Sequence, residues 1–509
     1  MPLLAIVTAT APKAAELPPL TLDRLFASPS LFGTAPSQPT WSADSSYLAF
    51  SWNDAGQKHR GLWLVANDGE GLRQLDGGPD ASPSVREIAW LPDGDKIVSL
   101  RGNSLWTTSA ASGREKALVD IGEGAYDLKI APGGSRATFL QGGDLWLVDL
   151  DKRSVTRVTN VGIPALSSLA IGRYNRPERE IGPGIWGGPT YAWSPDGRYL
   201  AVHHVDRRQM RRVPFPDYLA AETDTNEVRR GYPGDPNELR TVGLLDLTEG
   251  SLQLLELKDP AANQVVGFSW SPEGVLLVDT ASDTAVDRWL YTVQPGENQA
   301  REILHERRES RIYTSFASGW HPDGKRVVFL SDRGDRYGLY SLDPGMLDAE
   351  PERLTDPAYD VLGAPVVAGD AIFYAANGGS PYERHSYRID ASGDPASRLT
   401  RQSGHNSAYP APDGRHVAIL RSDDQTPTEL YVMTGDGGGA VRVTHSPPDE
   451  FAEREWGRVR YASFPSRVDD YTLHARILEP ATLDRGRKYP VIFGPMYSNT
   501  VRNRWRGSI

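Results

Sequence analysis

Residues 191–202 read YAWSPDGRYLAV, which joins a tryptophan, a Ser-Pro-Asp-Gly turn and an alternating apolar strand. Proline presets φ at the first turn position, aspartate bonds back to the backbone, and glycine supplies a positive φ. The segment is therefore typical of a β-hairpin whose second strand begins at Tyr199. The same phrase recurs at 39–50, 88–100, 128–140, 268–278, 318–330 and 408–420, with a degenerate copy at 364–375.

Most copies of the phrase are followed by two more short strands, such as GLWLVAND at 61–68 and then GLRQL at 71–75. This pattern gives four strands per unit and eight units over residues 21–446. The anchor tryptophans Trp41 and Trp90 are 49 residues apart, which is the size of a β-propeller blade. We therefore predict an all-β fold, an eight-bladed β-propeller. The alternative, two unrelated β-sandwiches, is disfavoured by the regular register of the repeat.

Composition excludes several classes of protein. The 509 residues include 55 basic and 66 acidic side chains, and a net charge of -11 argues against a nucleic-acid partner. No apolar run approaches the roughly 18 residues of a membrane span. The absence of cysteine excludes disulfides, thiolate metal sites and a cysteine nucleophile. No metal-ligand spacing and no Gly-rich nucleotide loop is present, so we expect no metal and no cofactor.

The N-terminal residues 1–20 are predicted to form a leader. Residues 2–10, PLLAIVTAT, are apolar and are followed by small residues, as in the second half of a secretory signal. The basic segment that normally precedes such a stretch is missing, so a leader without a targeting role is the alternative. We expect a periplasmic or secreted location, with a cytoplasmic one still open.

Two segments interrupt the repeat. The connection 160–190 is long and unlike a blade, and the unit that starts at residue 191 carries an insertion that includes 207–232. Long segments of this kind are usually functional loops or arms. The basic run RRQMRR at 207–212 is predicted to be a solvated arm neutralised by nearby acids, with binding of a carboxylate or an acidic partner surface as the alternative.

After residue 446 the pattern changes. Residues 456–466 and 471–480 alternate apolar and polar side chains and predict a pair of strands. Val491, Ile492 and Phe493 are predicted to form a short buried strand between two proline-containing boundaries. We therefore expect residues 447–509 to be the start of an α/β-hydrolase domain that is incomplete in this chain.

Three stretches carry a resemblance to a known family. They are WSPDGRYLAV with the downstream RRGYPGDPNELRTVGLLDL at 229–247, KYPVIF at 488–493 and MYSNTVRNRW at 496–505. Together they resemble the prolyl oligopeptidase family of serine peptidases, most closely its dipeptidyl peptidase IV-like branch. The resemblance implies a propeller that gates and orients peptide substrates above an α/β-hydrolase active site.

The resemblance also implies site residues. Such enzymes carry a Ser, Asp, His triad after the propeller, but no Gly-x-Ser-x-Gly occurs in the 509 residues, so we expect this chain alone to be inactive. Tyr497 is implied as a hydroxyl donor to the oxyanion, with a packed aromatic as the alternative. Glu178 or Glu180 is implied to bind the α-amino group of the substrate, with surface pairing to local arginines as the alternative. The branch also implies a homodimer formed through the 207–232 insertion and the hydrolase domain.

A second interpretation comes from a different class of protein. The chain is then a non-enzymatic binding propeller or scaffold, and the stretches KYPVIF and MYSNTV are remnants without a role. Whether a serine nucleophile belongs to the same protein distinguishes the two interpretations.

Overall fold

The computed structural model describes residues 17–75, 83–167, 175–184, 188–218, 221–222, 224–297, 299–312, 316–334, 336–346, 349–393, 395–494 and 501–505. Within these ranges the chain is almost entirely β, with two five-residue helices, α1 (Leu22–Phe26) and α2 (Asp449–Glu453). No helix in these ranges is long and apolar enough to cross a bilayer. Residues 1–16 lie outside them, so the leader stays a prediction.

The first third of the chain forms three antiparallel four-stranded sheets, which we number units one to three. Each sheet pairs its strands in chain order, because short turns join each strand to the next. The strands are β1 (Thr34–Trp41), β2 (Tyr47–Asn53), β3 (Gly61–Ala66), β4 (Arg73–Gln74), β5 (Val85–Trp90), β6 (Lys96–Arg101), β7 (Ser104–Ser109), β8 (Glu115–Asp120), β9 (Tyr126–Ile130), β10 (Arg136–Gln141), β11 (Asp144–Asp149) and β12 (Ser154–Arg157).

The middle of the chain forms a nine-stranded sheet and a separate two-stranded ribbon. The strands are β13 (Arg179–Ile181), β14 (Tyr191–Trp193), β15 (Tyr199–Asp206), β16 (Arg212–Asp217), β17 (Asp224–Arg229), β18 (Leu239–Asp246), β19 (Ser251–Leu254), β20 (Gln264–Trp270), β21 (Leu276–Ala281), β22 (Asp287–Val293) and β23 (Arg301–Arg307). Unit four has the order β14-β15-β18-β19 with β13 beside β15, and unit five is β20 to β23. A parallel pairing of Arg240 with Gln264 joins the two units. The ribbon β16–β17 is the insertion between β15 and β18.

Three more four-stranded sheets, units six to eight, and a terminal hairpin complete the chain. The strands are β24 (Ser318–Trp320), β25 (Val327–Ser331), β26 (Gly338–Leu342), β27 (Glu352–Arg353), β28 (Val366–Ala368), β29 (Ala371–Ala376), β30 (His385–Asp390), β31 (Ser397–Arg398), β32 (His405–Pro410), β33 (His416–Ser422), β34 (Glu429–Thr434), β35 (Val441–Arg442), β36 (Arg458–Pro465) and β37 (Thr472–Glu479). The hairpin β36–β37 is the pair of strands that the sequence predicts after residue 446.

The described residues thus contain eight four-stranded units, and a buried apolar cluster lies at each junction between successive units. A further cluster joins the last unit to the first, where Phe50 and Trp63 pack with Ala418 and Leu430. The series of units therefore closes into a ring, as the repeat predicts. For the whole chain, the number of eight blades remains a prediction.

The repeated tryptophan has a specific role in this ring. The indole of Trp90 donates to the carbonyl of Thr40 at 2.9 Å, and that of Trp270 donates to the carbonyl of Ala192 at 3.1 Å. In each case the acceptor belongs to the first strand of the preceding unit. Comparable bonds join Trp320 to Ser269 and Trp41 to Tyr409. The tryptophan therefore bonds neighbouring units to each other, which explains its recurrence.

The strand order also separates the two sides of the ring. Turns between the first and second strands of a unit, such as the one at Gly197 with φ of 68°, lie on one side, which we call the turn face. Links between second and third strands, and between units, must lie on the opposite side, which we call the connection face. The segment 175–184 and the ribbon β16–β17 both belong to the connection face.

The prediction of a buried strand at Val491, Ile492 and Phe493 is wrong for this chain. These residues form no strand, and their side chains are 80%, 97% and 88% exposed. A buried strand needs neighbouring strands that cover both its edges and its faces, and none of the described residues provides them.

Candidate functional site

The first predicted site residue, Glu180, lies in the short strand β13, where it pairs opposite Val205 of β15. This pairing places Glu180 on the connection face, and the residue is only 7% exposed. Glu180 Oε1 accepts a hydrogen bond from Arg207 Nη1 at 2.7 Å. Glu180 is therefore a buried carboxylate that already carries one guanidinium partner.

Arg207 connects Glu180 to a second carboxylate. It is 1% exposed, and its Nε donates to Glu238 Oε2 at 2.6 Å. Glu238 in turn accepts from Arg240 Nε at 2.9 Å, and Arg240 donates to the carbonyl of Pro183 at 2.9 Å. The four side chains form one network that holds the segment 175–184 against both ends of the insertion.

The second predicted site residue, Glu178, makes a different ion pair. Its carboxylate accepts from Arg229 Nε at 2.7 Å, at the end of β17, and Arg229 Nη1 also donates to the carbonyl of Met210. Both side chains are nearly buried, at 13% and 11% exposure. Glu178 thus fixes the base of the ribbon β16–β17 to the ring.

The electrostatics of the network follow from its burial. Burial acts to raise the pKa of Glu238, but the guanidiniums of Arg240, Arg207 and Arg176 outweigh it, and the pKa lies below its ordinary value. Burial, and then the neighbouring Arg240, lower the pKa of His203 to about 3. The carboxylate of Glu238 is therefore ionised and the imidazole of His203 is neutral at physiological pH.

Unit three faces this network with polar groups of its own. Burial, and then the charges of Glu180 and Asp127, raise the pKa of Tyr126 to about 12. Lys129 Nζ lies 3.1 Å from Asp127 Oδ2 and donates to the carbonyl of Tyr191 at 2.7 Å. Carboxylates, a neutral phenol and paired cations of units three and four therefore lie around this network.

The network can bind and orient a ligand, but it offers no nucleophile activated by a base. Carboxylate oxygens accept hydrogen bonds from ammonium or guanidinium groups, and Glu180 has lone pairs beyond the one used by Arg207. No group of three or more metal-ligating side chains occurs among the residues that the structure describes. The chemistry available here is recognition of a cationic or hydrogen-bonding group.

The predicted site residues thus reach different positions. Glu178 and Glu180 both lie on the connection face, but each pairs with its own arginine and not with the other glutamate. Tyr497 falls in 495–500, outside the described residues, so its role stays a prediction.

Sequence reasoning missed the buried part of the insertion. Arg207 was expected in a solvated arm, yet it is buried, whereas Arg208 and Arg211 are exposed and pair with Asp206 and Asp235 as expected. Arg207 directly follows the strand β15, and this position was the available signal.

Comparisons with known proteins agree with this geometry. A family model described as the dipeptidyl peptidase IV (DPP IV) N-terminal region matches residues 123–428, more than half of the chain. "Probable dipeptidyl-aminopeptidase B" of Neosartorya fischeri is 20% identical over 497 residues, covering 87% of this chain and 51% of the relative. The protein of the same name from Aspergillus oryzae is 21% identical over 473 residues, covering 83% and 50%. The chain spans about half the length of these curated relatives.

A solved structure shows the same fold. The crystal structure of Porphyromonas gingivalis dipeptidyl peptidase 4 matches with a TM-score of 0.73 at 17% identity, covering 96% of this chain and 71% of that one. At this identity the likeness is one of fold, and it confirms the predicted all-β propeller class. With the family model covering most of the ring, the chain belongs to the dipeptidyl peptidase IV N-terminal region family, the propeller region of dipeptidyl peptidase IV-like members of the prolyl oligopeptidase family.

Proposed function

We propose that this chain is the propeller portion of a serine-type exopeptidase of the dipeptidyl peptidase kind, and that it admits and orients peptide substrates. Support comes from the family membership and from the carboxylates on the connection face. The observation that carries the proposal is Glu180, a nearly buried carboxylate that pairs with Arg207 and whose charge acts on Tyr126. A nearly buried carboxylate of this kind favours a charged hydrogen-bond donor over water as its partner.

The proposed role of Glu180 and Glu178 is to bind the α-amino group of a peptide. An ammonium has three donors, and a carboxylate accepts from several directions, so Glu180 can keep Arg207 and still bind the amine. Because Arg207 and Arg229 partly neutralise the two glutamates, the amine site is weaker than one made of free carboxylates. We therefore expect the affinity of the isolated chain for dipeptides to be modest.

The remaining parts of the proposal concern the intact protein. Peptide-bond hydrolysis through an acyl-serine intermediate requires a catalytic triad. The 509 residues contain no Gly-x-Ser-x-Gly sequence that would place a serine in a nucleophile elbow. We propose that this chain alone is inactive and that Tyr497 supplies the oxyanion with a hydroxyl donor in the complete active site. We also propose a periplasmic or secreted location, and a homodimer formed through the 207–232 insertion together with the hydrolase domain.

Amine recognition is tested by calorimetric titration of the purified chain with Ala-Pro and with N-acetyl-Ala-Pro. We expect Ala-Pro to bind at least tenfold more tightly, and Glu180→Gln and Glu178→Gln each to reduce this preference. Asp246→Asn is the matched control, since Asp246 pairs with Arg198 on the turn face. Equal affinity for both dipeptides in the unsubstituted chain contradicts the proposed role.

Inactivity is tested separately with Ala-Pro-p-nitroanilide. We expect no release of nitroaniline by the purified chain, because it holds no activated serine. Hydrolysis that copurifies with the chain through two further columns, together with covalent labelling of the chain by a fluorophosphonate, contradicts this part of the proposal.

A further inference from the structure

A polar cavity opens on the connection face at units six and seven, away from Glu180 at units three and four. It has a volume of about 370 Å³ and lies where units six and seven meet the terminal hairpin and residues 501–505. Its polar lining comes from Arg336, Asp360, Asn377, His474 and Arg502. None of these residues takes part in the network of Glu178 and Glu180.

The roof of this cavity is held in place by the hairpin. Tyr382 O–H and His474 Nδ1 are 2.8 Å apart, and the rings of Tyr382 and Tyr461 pack at a tilt with their centroids 4.1 Å apart. Arg476 of β37 donates to Asp424 at 2.8 Å. These contacts hold the hairpin, and with it the lining residue His474, against units seven and eight.

The cations at this cavity outnumber the acids. Arg336 pairs with Asp360 at 2.8 Å, but Arg502 donates only to the carbonyl of Pro381 and has no carboxylate partner in the described parts of the chain. Arg384 does not line the cavity but lies near it, three residues after the lining residue Pro381, and its Nη2 is 3.8 Å from the position of a Cβ on Gly363. Its Nε is buried and has no hydrogen-bond partner among the described residues. A buried donor without a partner is costly, so Arg384 is stabilised by an anion placed near it.

Arg504 adds a third uncompensated guanidinium. Burial, and then the charges of Arg384, Arg504 and Arg502, lower the pKa of His405 to about 4. Arg502 and Arg504 also act on Arg384, whose pKa is lowered first by burial. The three guanidiniums therefore share one region of positive potential, and an anion placed there relieves their mutual repulsion.

We propose that this cavity, the Arg336–Arg502 pocket, binds an oxyanion and that in the working protein the oxyanion is the carboxylate of a peptide. The planar guanidinium matches a carboxylate with two parallel hydrogen bonds, and Arg502, which lines the cavity without a carboxylate partner among the described residues, offers donors for them. The oxyanion site rests on the contacts of this pocket alone, whereas the peptide source rests on the proposed function. The pocket lies on the same face as the amine site. It is therefore proposed to bind a carboxylate of a peptide, either the C-terminus or a side chain, whereas the amine site binds the α-amino group.

The test uses the purified chain and N-acetyl-trialanine, its C-terminal amide and inorganic phosphate as titrants at low ionic strength. We expect the acetylated acid to bind at least tenfold more tightly than the amide, and its binding to weaken as salt rises. Because the titrant has no free amino group, failure of the amine site leaves this result unchanged. Binding of phosphate without binding of the acid overturns the peptide assignment, and no binding of either overturns the oxyanion site.

Substitutions locate the binding. Arg384→Gln and Arg502→Gln are each expected to weaken binding of the acetylated acid at least tenfold, while Arg384→Lys retains part of it. Arg326→Gln is the matched control, since Arg326 pairs with Asp323 on the turn face. Arg502 belongs to none of the sheets of the described residues, so its variant keeps the test valid where Arg384→Gln impairs folding. Unchanged affinity in both glutamine variants contradicts the pocket.

Discussion

Arg207 is the residue on which the ordering of the candidate site depends. Its guanidinium is 1% exposed and lies between the carboxylates of Glu180 and Glu238. A buried ion pair contributes little net stability compared with apolar packing, but removal of one partner leaves the other charge uncompensated. The network therefore holds the geometry of the connection face more than it adds to stability.

A first prediction concerns Glu180→Gln. The substitution keeps the shape of the side chain but removes one of the two charges that compensate Arg207. We expect the free energy of unfolding in urea to fall by about 3 kcal/mol, near the lower end for broken buried pairs, because Glu238 remains. Arg208→Gln, which breaks the exposed pair with Asp206, is the control and should cost about 0.5 kcal/mol or less. Equal losses in the two variants refute the buried network.

A second prediction concerns pH. His203 has a pKa of about 3 in the folded chain, against 6.5 for a free imidazole. Between these values the unfolded chain binds a proton that the folded chain excludes, so stability falls as the pH drops below about 6.5 and is constant above it. From pH 7 to pH 5 this group costs about 2 kcal/mol.

The measurement is urea unfolding of the unsubstituted chain and of His203→Asn at pH 7 and pH 5. Asparagine does not titrate, so the variant should lose about 2 kcal/mol less on acidification. His59→Asn is the control, because His59 is exposed. An identical loss in the His203 variant and the unsubstituted chain rules out a neutral buried imidazole.

At the scale of elements, the repeated tryptophan, where a unit has it, bonds that unit to the one before it, as Trp41, Trp90, Trp270 and Trp320 do. Trp270→Phe keeps an aromatic ring at the junction of units four and five but leaves the carbonyl of Ala192 without its donor. We expect a loss of about 1–3 kcal/mol in the free energy of unfolding, the cost of an unpaired carbonyl in a partly buried place. Trp106→Phe is the control, since no hydrogen bond of its indole to another described unit is present. A loss no larger than in the control contradicts the role of the indole N–H.

Elements that repeat were predictable from the sequence, and elements that depend on single long-range partners were not. The turn at Gly197 and the strand that follows it were predicted because local residue types determine both. The exposure of Ile492 was not, since an apolar run carries no information on whether a neighbouring strand is present. For the site, the resemblance pointed to Glu178 and Glu180, but their arginine partners lie 51 and 27 residues away in the chain. No local pattern specifies pairs at that separation.

At the scale of the whole molecule, the two ends of the ring meet. Trp52 of unit one donates to Ser446 just after unit eight at 3.0 Å, and Phe32, Phe451, Trp456 and Trp505 form one aromatic cluster. Three segments are therefore packed together: the one before unit one, the one just after unit eight, and residues 501–505. The hairpin β36–β37 and the apolar residues 491–493 lie beyond this closure, in the stretch that the prolyl oligopeptidase resemblance relates to the peptidase domain.

The proposed peptidase function of the intact protein is tested most directly on the protein in its native source. An extract is treated with a fluorophosphonate probe, which labels only activated serines, and the protein is then captured with an antibody raised against the ring. We predict a labelled band clearly heavier than the 55.9 kDa of this chain. An unlabelled protein of 55.9 kDa in the same capture, with a known serine hydrolase of the extract labelled as the control, contradicts the peptidase function and favours a binding propeller.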